Sequence, residues 1–268
     1  MLNTMPAFML TQTDVAEQLR QAGWAPGMAI LVHTSLKQIG GWVPGGTGAI
    51  IGAMLDVLGP TGTLMMPTFT MDNSEPSYWQ NPPVPAAWWP TVRAATPAYN
   101  PQTTPTRMMG ILAEHFRTWP GIRRSVHPQG SFAAWGHHAD TLTADHDLVQ
   151  QFGEASPLGR LYALDGHVFL LGVGHGNNTS LHLAEERRQN PKRAPQGSAM
   201  WVDGACHWVT FETVDYDDAD FVQLGAAYEA AFPKAVQVST LGKATVRLMR
   251  QRPLVDFAVE WLNTQRAG

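Results

Sequence analysis

Two short apolar segments with a helical pattern between them constrain the fold of this chain more than any other feature. Residues 29–33 and 63–68 are apolar runs without the polar alternation of a half-exposed strand, so each predicts a buried strand. Residues 47–58 have helical spacing and end at the helix-stopping pair Gly59-Pro60. Strands joined in this way pair in parallel with a right-handed crossover. The sequence therefore predicts an α/β domain.

The other segments predict further strands and helices around this unit. Helices are recognised by apolar residues at helical spacing, and strands by short apolar or alternating runs next to turn residues. The predicted elements are helices at 11–23, at 107–118 and from 137 onward, strands at 131–136 and 167–174, a hairpin at 198–214 around Asp203-Gly204, and two helices within 220–267 joined by a short polar stretch.

Residues 73–106 differ from the rest of the chain. This segment contains eight prolines and follows neither the helical nor the strand period. A loop of such length is usually functional or disordered, and its tryptophans argue against disorder. We expect a single domain over residues 1–268, with residues 73–106 forming an ordered excursion over its active-site face.

Composition excludes several classes of function. The net charge of −4, with only 18 Lys and Arg residues, argues against a nucleic-acid partner. No apolar run has the length of a membrane span, and the N-terminal residues do not resemble a secretory signal. The single cysteine, Cys206, excludes an internal disulfide framework and a cysteine-rich metal site. These features predict a cytoplasmic protein.

A glycine-rich loop, QIGGWVPGGTG at residues 38–48, joins the first predicted strand to the helix that follows. Glycines allow backbone N–H groups to approach a ligand, and a helix N-terminus favours anions, so the loop is suited to a phosphate. It lacks the Gly-Lys-Ser/Thr of a Walker motif and the GxGxxG pattern. From the loop alone, a simple turn is slightly favoured over a phosphate site.

The stretch GVGHGNNTSLHLAEE at residues 172–186 contains two histidines in different settings. A helix capped by Asn178 or Thr179 would place His182 in its first turn, where the helix dipole favours the neutral imidazole that a general base needs. Glu185 and Glu186 lie on the same side of that helix and could oppose this effect. His175 lies in a glycine- and asparagine-rich loop and is expected to be structural. The spacing does not match a zinc motif, and a helix histidine bonded in the interior remains the alternative for His182.

Four blocks of the sequence carry a joint resemblance. They are LVHTSLKQIGGWVPGGTGAIIGAMLDVLGPTGTLMMPTFT (31–70), RRSVHPQGSFAAWG (123–136), FGEASPLGRLYALDGHVFLLGVGHGNNTSLHLAEE (152–186) and VDYDDADF (214–221). Together they resemble the aminoglycoside 3-N-acetyltransferases, the antibiotic N-acetyltransferase family. The resemblance implies an α/β fold with a central mixed sheet flanked by helices. It also implies acetyl transfer from acetyl-CoA to the 3-amino group of a 2-deoxystreptamine aminoglycoside.

The resemblance also assigns roles to individual residues. His182 corresponds to the family's catalytic base, and Thr179 to the residue beside the acetyl thioester. An acidic residue that orients the base or binds the substrate corresponds to Asp72 or Glu75, and a second one to Glu212, with Asp215 as the alternative. The implied acetyl-CoA site consists of Thr34, Ser35, Lys37, Val43, Pro44, Gly45, Gly46, Thr47 and Ser125.

The expected chemistry is direct transfer without an acyl-enzyme. His182 accepts a proton from the amine, Asp72 or Glu212 orients the ring, and Thr179 stabilises the oxyanion or protonates the thiolate. We expect no metal, an aminoglycoside or related cationic amine as partner, and a monomer or homodimer. The alternatives are an acetyltransferase of the same fold that acts on another amine, and a non-catalytic antibiotic binder, against which the His182–Thr179 pair argues. In the aspartate-rich segment 215–220, at least two side chains are expected to be structural.

Overall fold

A computed structural model describes residues 7–266. Its main sheet has the strand order β3-β4-β2-β1-β5-β9-β8, and a separate hairpin is formed by β6 and β7. The strands are β1 (Ala29–Thr34), β2 (Thr63–Pro67), β3 (Arg123–Arg124), β4 (Phe132–Gly136), β5 (His167–Leu171), β6 (Arg193–Val202), β7 (Ala205–Val214), β8 (Val236–Leu241) and β9 (Ala244–Arg250). The helices are α1 (Gln12–Gln21), α2 (Gly46–Leu58), α3 (Trp89–Ala95), α4 (Gly110–Arg117), α5 (Ala139–Thr143), α6 (Pro157–Ala163), α7 (Ser180–Arg187), α8 (Phe221–Ala231) and α9 (Gln251–Gln265).

The centre of the sheet is the parallel unit that the sequence predicts. Strand β1 pairs in parallel with β2 on one side and with β5 on the other, whereas β4 and β9 are antiparallel to their neighbours. The mixed α/β fold is therefore confirmed. Residues on β1 alternate between the two faces of the sheet: Ile30 and Val32 pack with α1, α2 and α4, and Leu31 packs with α5 to α9. Because both faces are covered, most residues of the central strands are apolar.

The chain after residue 220 contains a hairpin that the sequence did not reveal. The two helices expected there are confirmed as α8 and α9, but strands β8 and β9 lie between them, so the expected short polar connection was wrong. The two strands are joined at Gly242, which has a φ of 58°. They are rich in Val and Thr, and β9 extends the sheet beside β5. Pairing with the existing sheet edge stabilises a segment whose local pattern is weak.

The predicted hairpin of β6 and β7 is confirmed, and it holds the proline-rich excursion. Asp203 and Gly204 both have positive φ, as a two-residue hairpin turn requires. The side chain of Asn73 bonds the backbone N and O of Ala199 at 2.7 and 3.0 Å, and Tyr99 N donates to the same carbonyl oxygen. These contacts fix both ends of the excursion on the hairpin. The limits of the single domain, 1–268, extend beyond the described residues and stay a prediction.

None of the helices between residues 7 and 266 has both the length and the apolar character needed to cross a membrane.

Candidate active site

A cavity of about 650 Å³ opens where the parallel strands end. The carboxyl ends of neighbouring parallel strands meet at one edge of the sheet, which is where open α/β sheets bind ligands. The wall combines residues at the ends of β1 and β2, the start of α7, the segment after β7 and the excursion. Among the residues on this wall are His33, Thr34, Pro67, Tyr78, Gln129, Gln151, Phe152, Thr179, His182, Asp215, Tyr216 and Asp218.

His182 lies on the cavity wall in the first turn of α7. The helix begins at Ser180, whose N–H donates to the side chain of Asn178 at 3.2 Å. The imidazole is stacked on Phe152 with ring centroids 4.8 Å apart, and Tyr216 and Phe221 contact it from other sides. The side chain is 13% exposed, so the ring is held firmly but still reaches the cavity.

The carboxylate that contacts His182 is Glu185, one helical turn further along α7. His182 Nδ1 donates to Glu185 Oε2 at 2.6 Å, and Glu185 Oε1 accepts from Arg266 Nη1 at 2.5 Å and from the N–H of Asp217 at 3.0 Å. The Glu185 side chain is 1% exposed. A proton on Nδ1 leaves Nε2 as the acceptor of the ring, so the site presents an oriented base.

The acidic residues expected to orient His182 lie elsewhere, and this part of the prediction is corrected. Asp72 is exposed at the surface and forms an ion pair with Arg107 at 3.3 Å. Glu212 is exposed on β7, although the next two residues of that strand line the cavity. Neither carboxylate contacts the imidazole. The resemblance assigned these roles from positions along the chain, after a strand end and within a hairpin, and such positions do not fix where a side chain lies.

Two further acidic candidates have different positions. Glu75 is half-buried in the excursion, where its carboxylate accepts from Arg93 Nε at 3.1 Å and Nη2 at 2.5 Å. Burial would raise the pKa of Glu75, but the bonds from Arg93 and Ser77 lower it overall. Glu75 therefore stabilises the excursion and is not on the cavity wall. Asp215 does lie on the wall, where it pairs with Lys192 at 2.6 Å.

The aspartates that follow β7 divide into two pairs. Asp215 and Asp218 line the cavity. Asp217 and Asp220 are structural: the first gives its N–H to Glu185, and the second pairs with Arg266 at 2.5 Å. The side chain of Asp220 makes no capping bond at the start of α8. The Asp217 side chain accepts from the N–H of Ala219 at 3.0 Å, so two of the four side chains make local structural contacts, and the roles of the other two stay a prediction.

Thr179 and His33 form a second polar contact on the cavity wall. Thr179 Oγ1 and His33 Nε2 are 3.3 Å apart. Burial, together with the nearby His182, lowers the pKa of His33 to about 3, so His33 is neutral at ordinary pH. Sequence reasoning missed His33 because it follows four apolar residues of a buried strand. Its position at the carboxyl end of β1 was the available signal.

The residues expected to bind acetyl-CoA are only partly together. Thr34 lines the cavity, and Ser35 and Lys37 continue from it into a short 3₁₀ helix. The loop of Val43, Pro44, Gly45, Gly46 and Thr47 leads into the N-terminus of α2, where Gly45 and Gly46 have φ of 81° and 55°. This geometry suits a loop whose backbone approaches an anion.

Ser125 is not at the cavity. Its side chain is fully buried, where Oγ accepts from Phe132 N at 3.0 Å and bonds His146 Nδ1 at 2.9 Å. A hydroxyl used in this way holds β3 and β4 together and has no access to a ligand. The expected role of Ser125 in acetyl-CoA binding is therefore corrected.

His175 has the structural setting expected from its loop. It is buried against α8, where its Nε2 lies 3.0 Å from Glu229 Oε1, and Arg247 Nε donates to the same oxygen at 2.8 Å. A Cβ added at Gly225 would lie 2.0 Å from His175 Cγ, so the ring fills the space that this glycine leaves. His175 does not line the cavity.

Tyr216 was also missed by sequence reasoning. It lines the cavity and donates its hydroxyl to Glu186. Burial raises the pKa of Glu186 and also that of Tyr216, whose proton the neighbouring carboxylate further stabilises. Tyr216 lies within the block VDYDDADF, where the four aspartates are the more evident candidates for binding a cation.

Of the excursion's aromatic residues, Tyr78 lines the cavity. Trp88 is exposed, and Trp79 donates its Nε1–H to Ser74 Oγ at 2.9 Å within the excursion. No tryptophan of the excursion, residues 73–106, is on the cavity wall. In residues 7–266, no cluster of three or more His, Cys, Asp or Glu side chains is arranged to hold a metal ion. Transfer without a metal stays a prediction.

Comparisons with known proteins identify the family. The model of the family described as aminoglycoside 3-N-acetyltransferase matches residues 31–263. The chain belongs to this family. It is 40% identical over 255 residues to YokD of Bacillus subtilis (strain 168), a prophage-derived aminoglycoside N(3')-acetyltransferase-like protein, with 95% of this chain and 93% of YokD covered. The crystal structure of YokD matches with a TM-score of 0.94 at 38% identity, covering 97% and 96% of the two chains.

Other members of the family are named enzymes. Aminoglycoside N(3)-acetyltransferase III of Pseudomonas aeruginosa is 34% identical over 269 residues, covering 95% of this chain and 94% of that protein. A structure of AAC-IIIb, described as a binary complex with CoASH, matches with a TM-score of 0.85 at 28% identity, covering 96% and 97% of the chains. The resemblance seen in the sequence is therefore confirmed, and the protein is an acyltransferase of the aminoglycoside N-acetyltransferase type.

Proposed function

We propose that this protein transfers the acetyl group of acetyl-CoA directly to the 3-amino group of a 2-deoxystreptamine aminoglycoside, with His182 as the general base. The observation that carries the proposal is the arrangement of His182 on the cavity wall, with Nδ1 bonded to Glu185 at 2.6 Å and the ring stacked on Phe152. This arrangement leaves Nε2 free to accept a proton. Family membership supplies the reaction type.

The proposed step balances as a single acyl transfer. The free amine nitrogen attacks the thioester carbonyl, a C–N bond forms, and the C–S bond of the tetrahedral intermediate breaks. The proton of the amine goes to His182 Nε2 and from there to the departing thiolate, so that CoASH and the amide are the products. General base catalysis of this kind contributes about 10² to 10⁴ in rate.

Thr179 has the position for the oxyanion of this step. It lies directly before α7, one turn from His182, and its hydroxyl contacts the neutral His33 at 3.3 Å. That contact orients the hydroxyl on the cavity wall. A donor placed in this way stabilises the developing oxyanion or returns a proton to the thiolate.

Acetyl-CoA is proposed to enter from the side of β1 and α2. Thr34 is on the wall, Ser35 and Lys37 follow it, and residues 43–47 lead into a helix of 13 residues. Glycine-rich backbone at a helix N-terminus favours the pyrophosphate. The CoASH complex of AAC-IIIb supports a coenzyme A thioester as donor.

The aminoglycoside is proposed to occupy the wall opposite, where the segment after β7 meets the excursion. Asp215 and Asp218 supply negative charge, Gln129 and Gln151 supply amides, and Tyr78 offers a ring face. These groups suit a cationic sugar with many hydroxyl groups. Asp72, Glu75 and Glu212 do not take part in this proposal.

A second candidate is acetyl transfer to an amine other than an aminoglycoside. The displacement of Asp72, Glu75 and Glu212 from the cavity favours it, because the wall is less acidic than the sequence suggested. Resistance to an antibiotic belongs only to the first candidate. Both candidates use the same base and the same donor.

The test is turnover of acetyl-CoA with a panel of aminoglycosides, followed through release of free thiol. We expect thiol release with at least one aminoglycoside and its loss by at least a hundredfold in His182→Ala, with His175→Ala as the matched control that keeps activity. Unchanged thiol release in His182→Ala would overturn the base assignment. Absence of turnover with every aminoglycoside, but turnover with another amine, would establish the second candidate.

A further inference from the structure

Arg266 follows the last residue of α9 and contacts the carboxylate that holds His182. Its Nη1 donates to Glu185 Oε1, and its Nη2 donates to the carbonyl oxygen of Asp217 and to Asp220 Oδ1, each at 2.5 Å. Its Nε donates to Asp220 Oδ2 at 2.8 Å. The side chain is 16% exposed. One guanidinium therefore joins the end of α9, the carboxylate on α7 and the acidic segment after β7.

Glu185 needs such a partner to act on His182. A buried carboxylate without a counter-charge tends to take up a proton, and a protonated Glu185 would lose its preference for the Nδ1–H of the imidazole. Arg266 places a full positive charge in direct contact with Oε1, while the N–H of Asp217 bonds the same oxygen at 3.0 Å. Oε2 is then left for His182 alone.

We propose that Arg266 is a positioning residue for acetyl transfer: it keeps Glu185 ionised and in place, so that Glu185 holds His182 in the tautomer whose Nε2 accepts the proton of the substrate. The proposal rests on the function proposed above for His182. The family match ends at residue 263, so it does not include Arg266.

The charges around His182 and Glu185 determine in which direction the pH profile should move when Arg266 is replaced. Arg266 is the positive partner of Glu185, and its loss leaves acidic groups around the imidazole. Removal of a positive charge from an acidic surrounding moves the acidic limb of an activity profile to higher pH. The titratable and charged groups that face the pair are His33 from β1, Glu186 from α7, Tyr216, Asp217, Asp218 and Asp220 from the segment after β7, and Arg266 itself.

The experiment compares Arg266→Gln and Arg266→Lys with the unchanged enzyme through kcat/KM as a function of pH. In Arg266→Gln we expect the acidic limb of the profile to move upward by about one pH unit, which lowers kcat/KM about tenfold at any pH below the limb. Arg266→Lys keeps the charge but not the three-way geometry. In Arg266→Lys the acidic limb of the profile should therefore lie close to its original pH, while the plateau value of kcat/KM stays below that of the unchanged enzyme.

Arg247→Gln is the matched control. Two groups of the same composition are present: the cavity triple, His182–Glu185–Arg266, and the α8 triple, His175–Glu229–Arg247. Removing Arg247 breaks the same kind of ion pair away from the cavity. We expect it to lower the melting temperature and to leave the limb where it was.

A second readout does not depend on activity. The ¹⁵N shifts of His182, assigned by comparison with His182→Ala, report which ring nitrogen carries the proton. They should show an Nδ1-protonated ring above the limb in the unchanged enzyme and a mixture of tautomers in Arg266→Gln.

The outcomes separate the two proposals. A uniform loss of kcat/KM at every pH in Arg266→Gln, with an unmoved limb and unchanged ¹⁵N shifts, would make Arg266 merely structural and overturn the inference. An equal movement of the limb in Arg247→Gln would do the same. Retained activity in His182→Ala would instead overturn the proposed function. If Arg266→Gln does not fold, Arg266→Lys decides: a reduced plateau of kcat/KM with the limb near its original position supports the inference, and an unreduced plateau in a folded variant overturns it.

Discussion

His175, in the loop after β5, and His182, in the first turn of α7, belong to groups of the same composition with different surroundings. In the cavity triple, His182 bonds Glu185 at 2.6 Å, and Arg266 bonds the other carboxylate oxygen at 2.5 Å. In the α8 triple, His175 and Arg247 share one oxygen of Glu229, at 3.0 and 2.8 Å. Bonding pattern alone does not tell a candidate base from a structural histidine.

Access to the cavity separates the two. His182 uses Nδ1 for its carboxylate and lies on the wall of a 650 Å³ cavity, whereas His175 uses Nε2 and is enclosed by α8. Burial lowers the pKa of His175 even though Glu229 opposes that effect. An imidazole packed in this way stabilises the loop that carries Thr179 and the start of α7. The α8 triple therefore supports the position of the cavity triple.

The largest difference between the triples should come from neutralising their carboxylates. Glu185→Gln keeps the shape of the side chain but removes the charge that orients the imidazole, and we expect kcat to fall by about two to four orders of magnitude. Glu229→Gln is the control. We expect its kcat to stay within about threefold of the unchanged enzyme, because the α8 triple lies away from the cavity and its loss lowers stability. Steady-state kinetics and thermal unfolding of both variants provide the measurement. Equal losses of kcat would show that the two carboxylates act alike.

A smaller difference in kcat should separate variants of Asn178 and Thr179, which lie between the two histidines in the chain. Thr179→Val removes the hydroxyl at the cavity wall, and we expect kcat to fall about a hundredfold, whereas Thr179→Ser should keep most of it. Asn178→Ala is the control, because the Asn178 side chain accepts from Ser180 N at the start of α7 and contacts His175. It should cost about 1 kcal/mol of stability with little change in kcat. A Thr179→Val enzyme with full activity would remove the hydroxyl from the mechanism.

The sequence allowed the central unit and the position of His182 at the start of a helix to be predicted for physical reasons. Strands β1 and β2 are buried on both faces, so their apolar runs are unambiguous. His182 follows a buried strand and opens a helix, which distinguishes it from His175. The β8–β9 hairpin was missed because its pairing partner is a distant strand of the sheet, and short mixed segments carry little local signal.

The carboxylate that contacts His182 was harder to predict than the position of His182 itself. Glu185 was recognised only as a helix neighbour, because its role depends on Arg266, 81 residues away along the chain. Asp72 and Glu75 follow the end of β2 closely, but Arg107 and Arg93 draw their carboxylates away from the cavity. Which arginine pairs with each carboxylate depends on the folded chain, so the sequence alone does not predict these ion pairs.

The smallest expected difference compares the α8 triple with a buried histidine whose partners are uncharged. His146 bonds Ser125 Oγ and the carbonyl oxygen of Gln151, and burial lowers its pKa to about 4. Above pH 6.5 the ring is neutral in both the folded and the unfolded chain. Between pH 6.5 and about 4 only the unfolded chain takes up the proton. As the pH falls through this range, His146 therefore lowers the free energy of unfolding by about 1.4 kcal/mol for each pH unit.

Replacing the two histidines separately measures what the carboxylate partner contributes. Urea unfolding at pH 7, 6, 5 and 4 should show a shallower loss of stability in His146→Asn than in the unchanged protein, by close to that slope. In His175→Asn the slope should change less, because Glu229 favours the imidazolium and so opposes the effect of burial on the pKa of His175. Equal changes in both variants would mean that Glu229 contributes nothing to the protonation of its histidine. The α8 triple would then stabilise the protein through packing and not through the charge of Glu229. Its resemblance to the cavity triple would be limited to the arrangement of its side chains.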